Sequence, residues 1–132
     1  MAREVSTNGR KKVATLMKEF NANFPYLRIR FYRPEGKPYF DKGSLTEYRI
    51  DINKTLAEVR LKKGNGEISF TGSKNVSTIE REFDSVFGLF VQICYTTKDG
   101  DMYYTTGEEN KQSLTQLNRQ KAAEGCQKDQ WS

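Results

Sequence analysis

The sequence of 132 residues contains no histidine, only two cysteines and only three prolines. Without histidine, no Ser-His-Asp or Cys-His catalytic pair can form, and no side chain has an ordinary pKa near neutrality. The cysteines, Cys94 and Cys126, are too few for a disulfide framework. Zinc would need carboxylates beside them, which is an uncommon ligand set. We therefore predict a protein that is not an enzyme and that holds no metal or other cofactor.

Long apolar runs are also missing from the chain. No stretch approaches the ~20 apolar residues that cross a bilayer, and the start, MAREVSTNGRKK, lacks the apolar core of a signal peptide. Hydrophobic residues make up 36% of the chain and charged residues 30%, as in ordinary folded proteins. These features predict a cytoplasmic location and no membrane partner.

The most informative feature that is present is an internal repeat. Residues 4–24 align with residues 67–87 at a constant offset of 63, and 9 of the 21 positions are identical. The identical pairs are Glu4/Glu67, Ser6/Ser69, Gly9/Gly72, Lys11/Lys74, Val13/Val76, Thr15/Thr78, Glu19/Glu82, Phe20/Phe83 and Phe24/Phe87. With one inserted residue the similarity continues at offset 64, through pairs that include Leu27/Val91, Ile29/Ile93, Gly36/Gly100, Tyr39/Tyr103 and Gly43/Gly107. We predict a duplicated segment, with residues 1–66 as the first repeat and 67–132 as the second.

Hydrophobic periodicity predicts the same order of elements in both repeats: strand, helix, strand, strand, helix. Helical spacing is found in Val13, Leu16, Met17, Phe20 and Phe24, and again in Val76, Ile79, Phe83, Val86 and Phe87. Alternating strand residues follow in each repeat, at Leu27, Ile29 and Phe31 and at Val91, Ile93 and Tyr95. Residues 98–101 predict a hairpin turn, and Ser113 with Gln116 predicts the capping box of the last helix.

This order of elements predicts an α+β fold. We expect two β-α-β-β-α units packed as one compact pseudo-twofold domain, with a mixed sheet and helices on one face. The first two strands of each repeat should run parallel, joined by a right-handed crossover. Alternation of Tyr48, Ile50 and Ile52 predicts an added strand in the first repeat. Cys94 should be buried in the most apolar strand, and Cys126 should be exposed.

Charge is distributed unevenly between the repeats. Residues 1–66 hold 15 Lys and Arg against 7 Asp and Glu, a net charge of +8, whereas residues 67–132 hold 7 against 10, a net charge of −3. One interpretation is attraction between a basic and an acidic half, or simple solvation of both. The other is a basic surface on the first repeat that binds an anionic partner.

The basic interpretation depends chiefly on Arg28 and Arg30. Their counterparts Gln92 and Cys94 are uncharged, so folding does not require arginine there. If Ile29 faces the core, both arginines lie on the opposite, open face of the sheet. Guanidinium groups beside aromatic rings can bind phosphates and stack on bases. The candidate anion- or partner-binding residues are Arg10, Lys11, Lys12, Arg28, Arg30, Arg33, Tyr26 and Tyr32.

Two shared features have simpler interpretations. Gly9 to Lys12 lead into a helix whose amides could bind an anion, but the corresponding segment from Gly72 carries less charge, which favours a plain turn. Glu19 and Glu82 align, and equivalent solvent-facing or capping roles explain them better than catalysis does.

The sequence therefore predicts a small non-catalytic binding module that contacts another protein or itself. The alternative is low-specificity nucleic-acid binding through a basic face of the first repeat. A third hypothesis, an enzyme without histidine, requires a deep pocket with clustered carboxylates or lysines. No motif indicates a small-molecule substrate.

Overall fold

A computed structural model describes residues 5–7, 9–37, 46–63 and 67–132. The strands are β1 (Val5–Ser6), β2 (Arg28–Tyr32), β3 (Ser69–Phe70), β4 (Phe90–Thr96) and β5 (Met102–Tyr104). The helices are α1 (Val13–Asn23), α2 (Leu56–Val59), α3 (Val76–Phe87) and α4 (Leu114–Ala123), with 3₁₀ helices at Thr46–Tyr48 and Gly107–Lys111. Over these residues the fold is α+β, with four α-helices and a three-stranded antiparallel sheet.

The two long helices follow from apolar residues at helical spacing. Each turns its apolar residues inward, and Phe20 of α1 and Phe83 of α3 are both fully buried. The residue before a proline is disfavoured in helical conformation, and α1 ends at Asn23, just before Pro25. Helix α3 ends at Gly88, whose φ of 70° lies in the left-handed region that glycine adopts without steric cost.

The three-stranded sheet has the order β2-β4-β5. Strands β2 and β4 pair antiparallel with Ile29 opposite Ile93, so a strand from each half of the chain meets at the centre. A hairpin joins β4 to β5, where Thr97 N donates to Asp101 O at 2.8 Å and Gly100 has a φ of 93°. The predicted turn at residues 98–101 is confirmed.

The predicted parallel crossovers and mixed sheet are wrong for the described residues. β1 pairs antiparallel with β3 in a separate two-stranded ladder, and neither joins the larger sheet. One edge of β2 is occupied by β4. At its other edge, Arg33 N donates to Tyr48 O at 2.7 Å and Ile50 N donates to Phe31 O at 3.3 Å. Strand β4 likewise has neighbours at both edges, β2 and β5. Neither β2 nor β4 therefore has an open edge at which β1 or β3 could pair.

The main core is a cluster of phenylalanine rings between the helices and the sheet. The Phe70 ring lies 5.2 Å from the Phe20 ring and 5.5 Å from the Phe83 ring, and Phe31 and Phe87 each lie 5.4 Å from Phe83. Such edge and offset contacts add to the stabilisation that burial provides. Phe83 of α3 therefore contacts both the ladder and the sheet, and Phe70 connects this cluster to α1.

Several residues that align at the offset of 63 make corresponding contacts in the two halves of the chain. Isolated antiparallel bridges join Lys12 to Thr55 and Asn75 to Ser113. Thr55 and Ser113 each form a capping box at the start of α2 and α4. Ion pairs of 2.8 Å join Lys11 to Glu19 and Lys74 to Glu82, which explains the aligned glutamates without catalysis.

Three smaller predictions need correction or lie outside the described residues. Instead of an added strand, residues 46–48 form a 3₁₀ helix, and Arg49 makes a single bridge to Tyr32. Cys126 is buried rather than exposed, and burial raises the pKa of its thiol; Cys94 is buried as expected. Tyr39 and Gly43, which continue the sequence similarity at offset 64, are outside the described ranges.

Replacement of Phe83 by alanine should destabilise the fold severely. The ring is fully buried against the rings of Phe31, Phe70 and Phe87, so Phe83→Ala should lower the free energy of unfolding by about 3–5 kcal/mol. Urea unfolding followed by circular dichroism measures this loss. Leu61→Ala is the matched control, because Leu61 is 56% exposed, and it should change stability by less than about 0.5 kcal/mol. Equal losses in both variants would contradict this description of the core.

Candidate functional site

Arg28 lies inside the fold and not on an open face of the sheet. Only 8% of the residue is exposed, and its guanidinium donates to the Thr96 hydroxyl and to the Ser132 backbone carbonyl. Burial lowers the pKa of Arg28, although an arginine stays charged at neutral pH. The predicted exposure of Arg28 is wrong, because the segment after α4 returns over this part of the sheet.

The returning segment is anchored to the first half of the chain. Gln127 N donates to Thr96 O and Asp129 N donates to Pro25 O, both at 2.8 Å. Asn21 donates to the Gln130 carbonyl at 3.3 Å, and the Trp131 ring lies 4.8 Å from the Lys18 ammonium. Trp131 thus docks on the domain and brings Ser132 beside the arginines.

Arg30 is partly exposed and lines a cavity of about 130 Å³, which we call the arginine pocket. Its lining consists of Met17, Arg30, Phe31, Tyr32, Arg49, Ile50, Ile52 and Ser132. Arg49 reaches the pocket because its backbone bridges to Tyr32 at the outer edge of β2. An apolar wall next to two guanidinium groups suits a small group that combines a carboxylate or phosphate with aliphatic carbon.

No Asp or Glu side chain in the described part of the chain pairs with the arginines around the arginine pocket. None of the ion pairs found there involves Arg28, Arg30 or Arg49, and no Asp or Glu lines the cavity. The Nε atom of Arg28 is buried without a hydrogen-bond partner. Attraction to Asp or Glu side chains of the second half therefore does not account for these arginines, and Arg28 is bound instead by the Ser132 backbone oxygen and the Thr96 hydroxyl.

Of the two aromatic candidates, Tyr32 lies inside the fold and Tyr26 is partly buried. Tyr32 is fully buried, and its hydroxyl lies 2.5 Å from that of Tyr104. Tyr26 is partly buried, and its backbone amide donates to Asn118 at 3.0 Å. Arg33 is exposed but lies apart from the pocket lining, donating to Glu47 O at 3.0 Å. The predicted group of arginines and tyrosines thus separates into buried and exposed members.

The first two amides of α1, after the basic turn, are already hydrogen-bonded. Val13 N and Ala14 N each donate at 2.9 Å, to the carbonyls of Lys54 and Ile52. Arg10 and Lys12 are exposed, while Lys11 is ion-paired with Glu19. An anion at this helix terminus would have to compete with backbone hydrogen bonds, so the simple turn is the better interpretation.

A second site, which sequence reasoning missed, lies around Glu80 on α3. Two adjoining cavities of about 280 and 310 Å³ share Lys37, Glu80, Phe90 and Gln92, and we call them together the Glu80 cleft. The first also contains Pro34, Ser77, Arg81, Asp84 and Leu89, and the second Thr105, Thr106, Gly107 and Asn110. Clefts of this size are typical of small-ligand sites.

The Glu80 carboxyl is held inside the cleft by one neutral partner. Gln92 Nε2 donates to Glu80 Oε2 at 2.7 Å and is itself buried on β4. Burial raises the pKa of Glu80 to about 7, against smaller opposing effects of the Gln92 hydrogen bond and the Lys37 charge. A signal was present in the repeat, because Glu80 aligns with the buried Met17, and a carboxyl at an otherwise apolar position is not required for folding.

The chemistry open to Glu80 is ligand binding or proton transfer. A carboxyl that is half ionised near neutrality can accept or donate a proton. In the described residues, however, no second carboxyl, thiol or amine is hydrogen-bonded to it, and its partner Gln92 does not titrate. The hydrogen bond of Glu80 in the cleft is therefore to an amide, while the charged groups of Lys37 and Asp84 line the same cavity.

Comparison with models of known protein families, with curated protein sequences and with solved structures finds no match for this chain. Within the described ranges, none of the helices has the length and apolar character needed to traverse a bilayer. The same residues bring together no group of three or more metal-binding side chains.

The buried carboxyl should make stability depend on pH. Between its ordinary pKa of 4.5 and about 7, Glu80 is protonated in the folded chain and ionised in the unfolded chain. Because the folded state then binds more protons than the unfolded state, the contribution of Glu80 to the free energy of unfolding falls as pH rises through this window. Because Glu80 is partly exposed, solvent screening limits the effect to about 1–2 kcal/mol. Glu80→Gln should remove this decline in urea titrations at about pH 5 and pH 8.

Glu82→Gln is the matched control, since it makes the same change two residues away. Glu82 is ion-paired with Lys74 at 2.8 Å and does not line the cleft. This variant should keep the pH profile of the parent chain. If Glu80→Gln also keeps it, the carboxyl does not carry the pH dependence described above.

Proposed function

We propose that this chain is a non-catalytic binding module whose partner is another protein, and that it holds an acidic side chain of that partner in the arginine pocket. The observation that carries the proposal is the pair formed by Arg30 and Arg49, which line the pocket together and are not ion-paired with an Asp or Glu side chain among the described residues. Uncompensated charge beside an apolar wall is stabilised by an incoming anion.

The size and lining of the pocket support a side chain rather than an extended polyanion. A cavity of about 130 Å³ takes one Asp or Glu side chain, and the wall of Phe31, Ile50 and Ile52 suits an adjacent aliphatic group. Nucleic-acid binding instead needs exposed cations that follow a backbone and accessible rings. The burial of Arg28 and Tyr32 does not favour it.

The pseudo-twofold arrangement of two repeats is part of the same proposal. Ser6 aligns with Ser69 and pairs with it, and Ile29 aligns with Ile93 and pairs with it, as expected for positions next to a twofold axis. The bridges, capping boxes and lysine–glutamate ion pairs described above correspond in the two halves. Duplication would supply two corresponding cavities, of which the first gained arginines.

A cytoplasmic location completes the proposal. Cys94 and Cys126 are both free thiols, which supports a reducing compartment.

Charge reversal in the pocket should abolish binding of acidic peptides. We expect Arg30→Glu with Arg49→Glu to weaken binding of short peptides that carry one Glu or Asp among aliphatic residues by about a hundredfold. Fluorescence polarisation with labelled peptides, and with the same peptides carrying Gln or Asn, measures the loss. The parent chain should prefer the acidic peptides.

Arg10→Glu with Lys12→Glu is the matched control, because it makes an equal change of charge at exposed residues outside the pocket. It should alter peptide affinity by less than about threefold. The proposal would give way to the nucleic-acid alternative if the parent chain bound generic RNA or DNA and did not prefer acidic peptides. In that case Arg10→Glu with Lys12→Glu would also abolish the nucleic-acid binding.

An experimental structure tests the duplication. Residues 9–24 and 53–59 should superpose on residues 72–87 and 111–117 after a rotation of about 180°. A rotation far from this value would remove the pseudo-twofold arrangement while leaving the peptide experiment unaffected.

A further inference from the structure

The Glu80 cleft holds opposite charges that do not neutralise each other. Lys37 and Glu80 line both of its cavities, and the Lys37 charge acts on the Glu80 carboxyl. No ion pair joins them in the described residues, since the partner of Glu80 is Gln92. An ammonium and a carboxylate that share a cavity without touching leave room for a ligand between them.

The floor of the cleft is apolar. Phe90 lies at its centre and Leu89 and Pro34 at one end, while Thr106 and Asn110 contribute polar groups at the other. Arg81 and Asp84, both exposed, add one charge of each sign at the first end. The lining therefore offers no excess of one charge, and it suits a ligand that is itself neutral overall.

The repeat indicates that the carboxyl serves the cleft rather than the fold. Glu80 aligns with Met17, which lines the arginine pocket. When the helix caps Thr55 and Ser113 are matched, Ile52 of the arginine pocket corresponds to Asn110 of the cleft. At both positions an apolar residue of the first half is polar in the second. Burial of a carboxyl opposes folding, so a ligand contact gives a reason for its presence.

From these observations we propose that the Glu80 cleft binds a zwitterionic amine-carboxylate, such as a free amino acid. Its ammonium contacts Glu80, its carboxylate contacts Lys37 and its carbon skeleton lies on Phe90. This site is separate from the arginine pocket and does not depend on the proposed protein partner.

The test uses four probes of similar length: L-norleucine, 6-aminohexanoate, hexylamine and hexanoate. Titration is followed in ¹⁵N–¹H spectra of the full chain, through the Gln92 side-chain amide and the backbone amides of Thr106 and Asn110. We expect at least one zwitterion to bind at millimolar concentration, about tenfold more tightly than hexylamine or hexanoate. A lack of shifts with all four probes, or equal binding of hexylamine and the zwitterions, would overturn the proposal.

Variants separate the two charged contacts. Glu80→Gln should weaken the zwitterion and hexylamine about tenfold but leave hexanoate unchanged, whereas Lys37→Ala should weaken the zwitterion and hexanoate but leave hexylamine unchanged. Glu82→Gln, on the same helix and outside the cleft, should leave all probes unchanged. If Glu82→Gln weakens binding as much as Glu80→Gln does, the effect is not local to the cleft and the proposal fails.

Discussion

The antiparallel pairing of β2 with β4 is the constraint on which the rest of this structure depends. It joins one strand from each half of the chain along five residue pairs centred on Arg30 and Gln92. Because this pairing occupies the inner edges of both strands, the first strands β1 and β3 must find each other elsewhere, and they form their own short ladder. The phenylalanine cluster around Phe83 then fills the space between ladder, sheet and helices.

The same pairing explains where both candidate sites lie. Ile29 and Ile93 face the main core, so their neighbours Arg28, Arg30 and Gln92 are directed to the other face of the sheet. That face is not simply solvated. The segment after α4 covers Arg28. The Glu80 carboxyl accepts a hydrogen bond from Gln92, which itself lines the Glu80 cleft. Polar groups buried in this way cost stability unless they are hydrogen-bonded, which is why their partners matter.

The two halves use similar backbone contacts and different side chains. The bridges at Lys12 and Asn75 and the caps at Thr55 and Ser113 are maintained by backbone and short polar groups. Side chains that line the cavities are free to differ, as Met17 and Glu80 do, because the backbone frame does not depend on them. Similar backbone contacts in the two halves are in this way compatible with a basic pocket lined by Met17 and a cleft of mixed charge lined by Glu80.

By itself, the sequence determined the helices α1, α3 and α4, the hairpin between β4 and β5 and the inward residues of the core. These depend on periodicity, capping and turn chemistry within a few residues. It could not determine which strands pair, because pairing depends on which edges remain open after packing. Only the tertiary structure decided that Arg28 is buried, that Arg49 lies beside Arg30 and that Glu80 contacts Gln92. Burial and charge partners come from segments distant in sequence, and no local pattern encodes them.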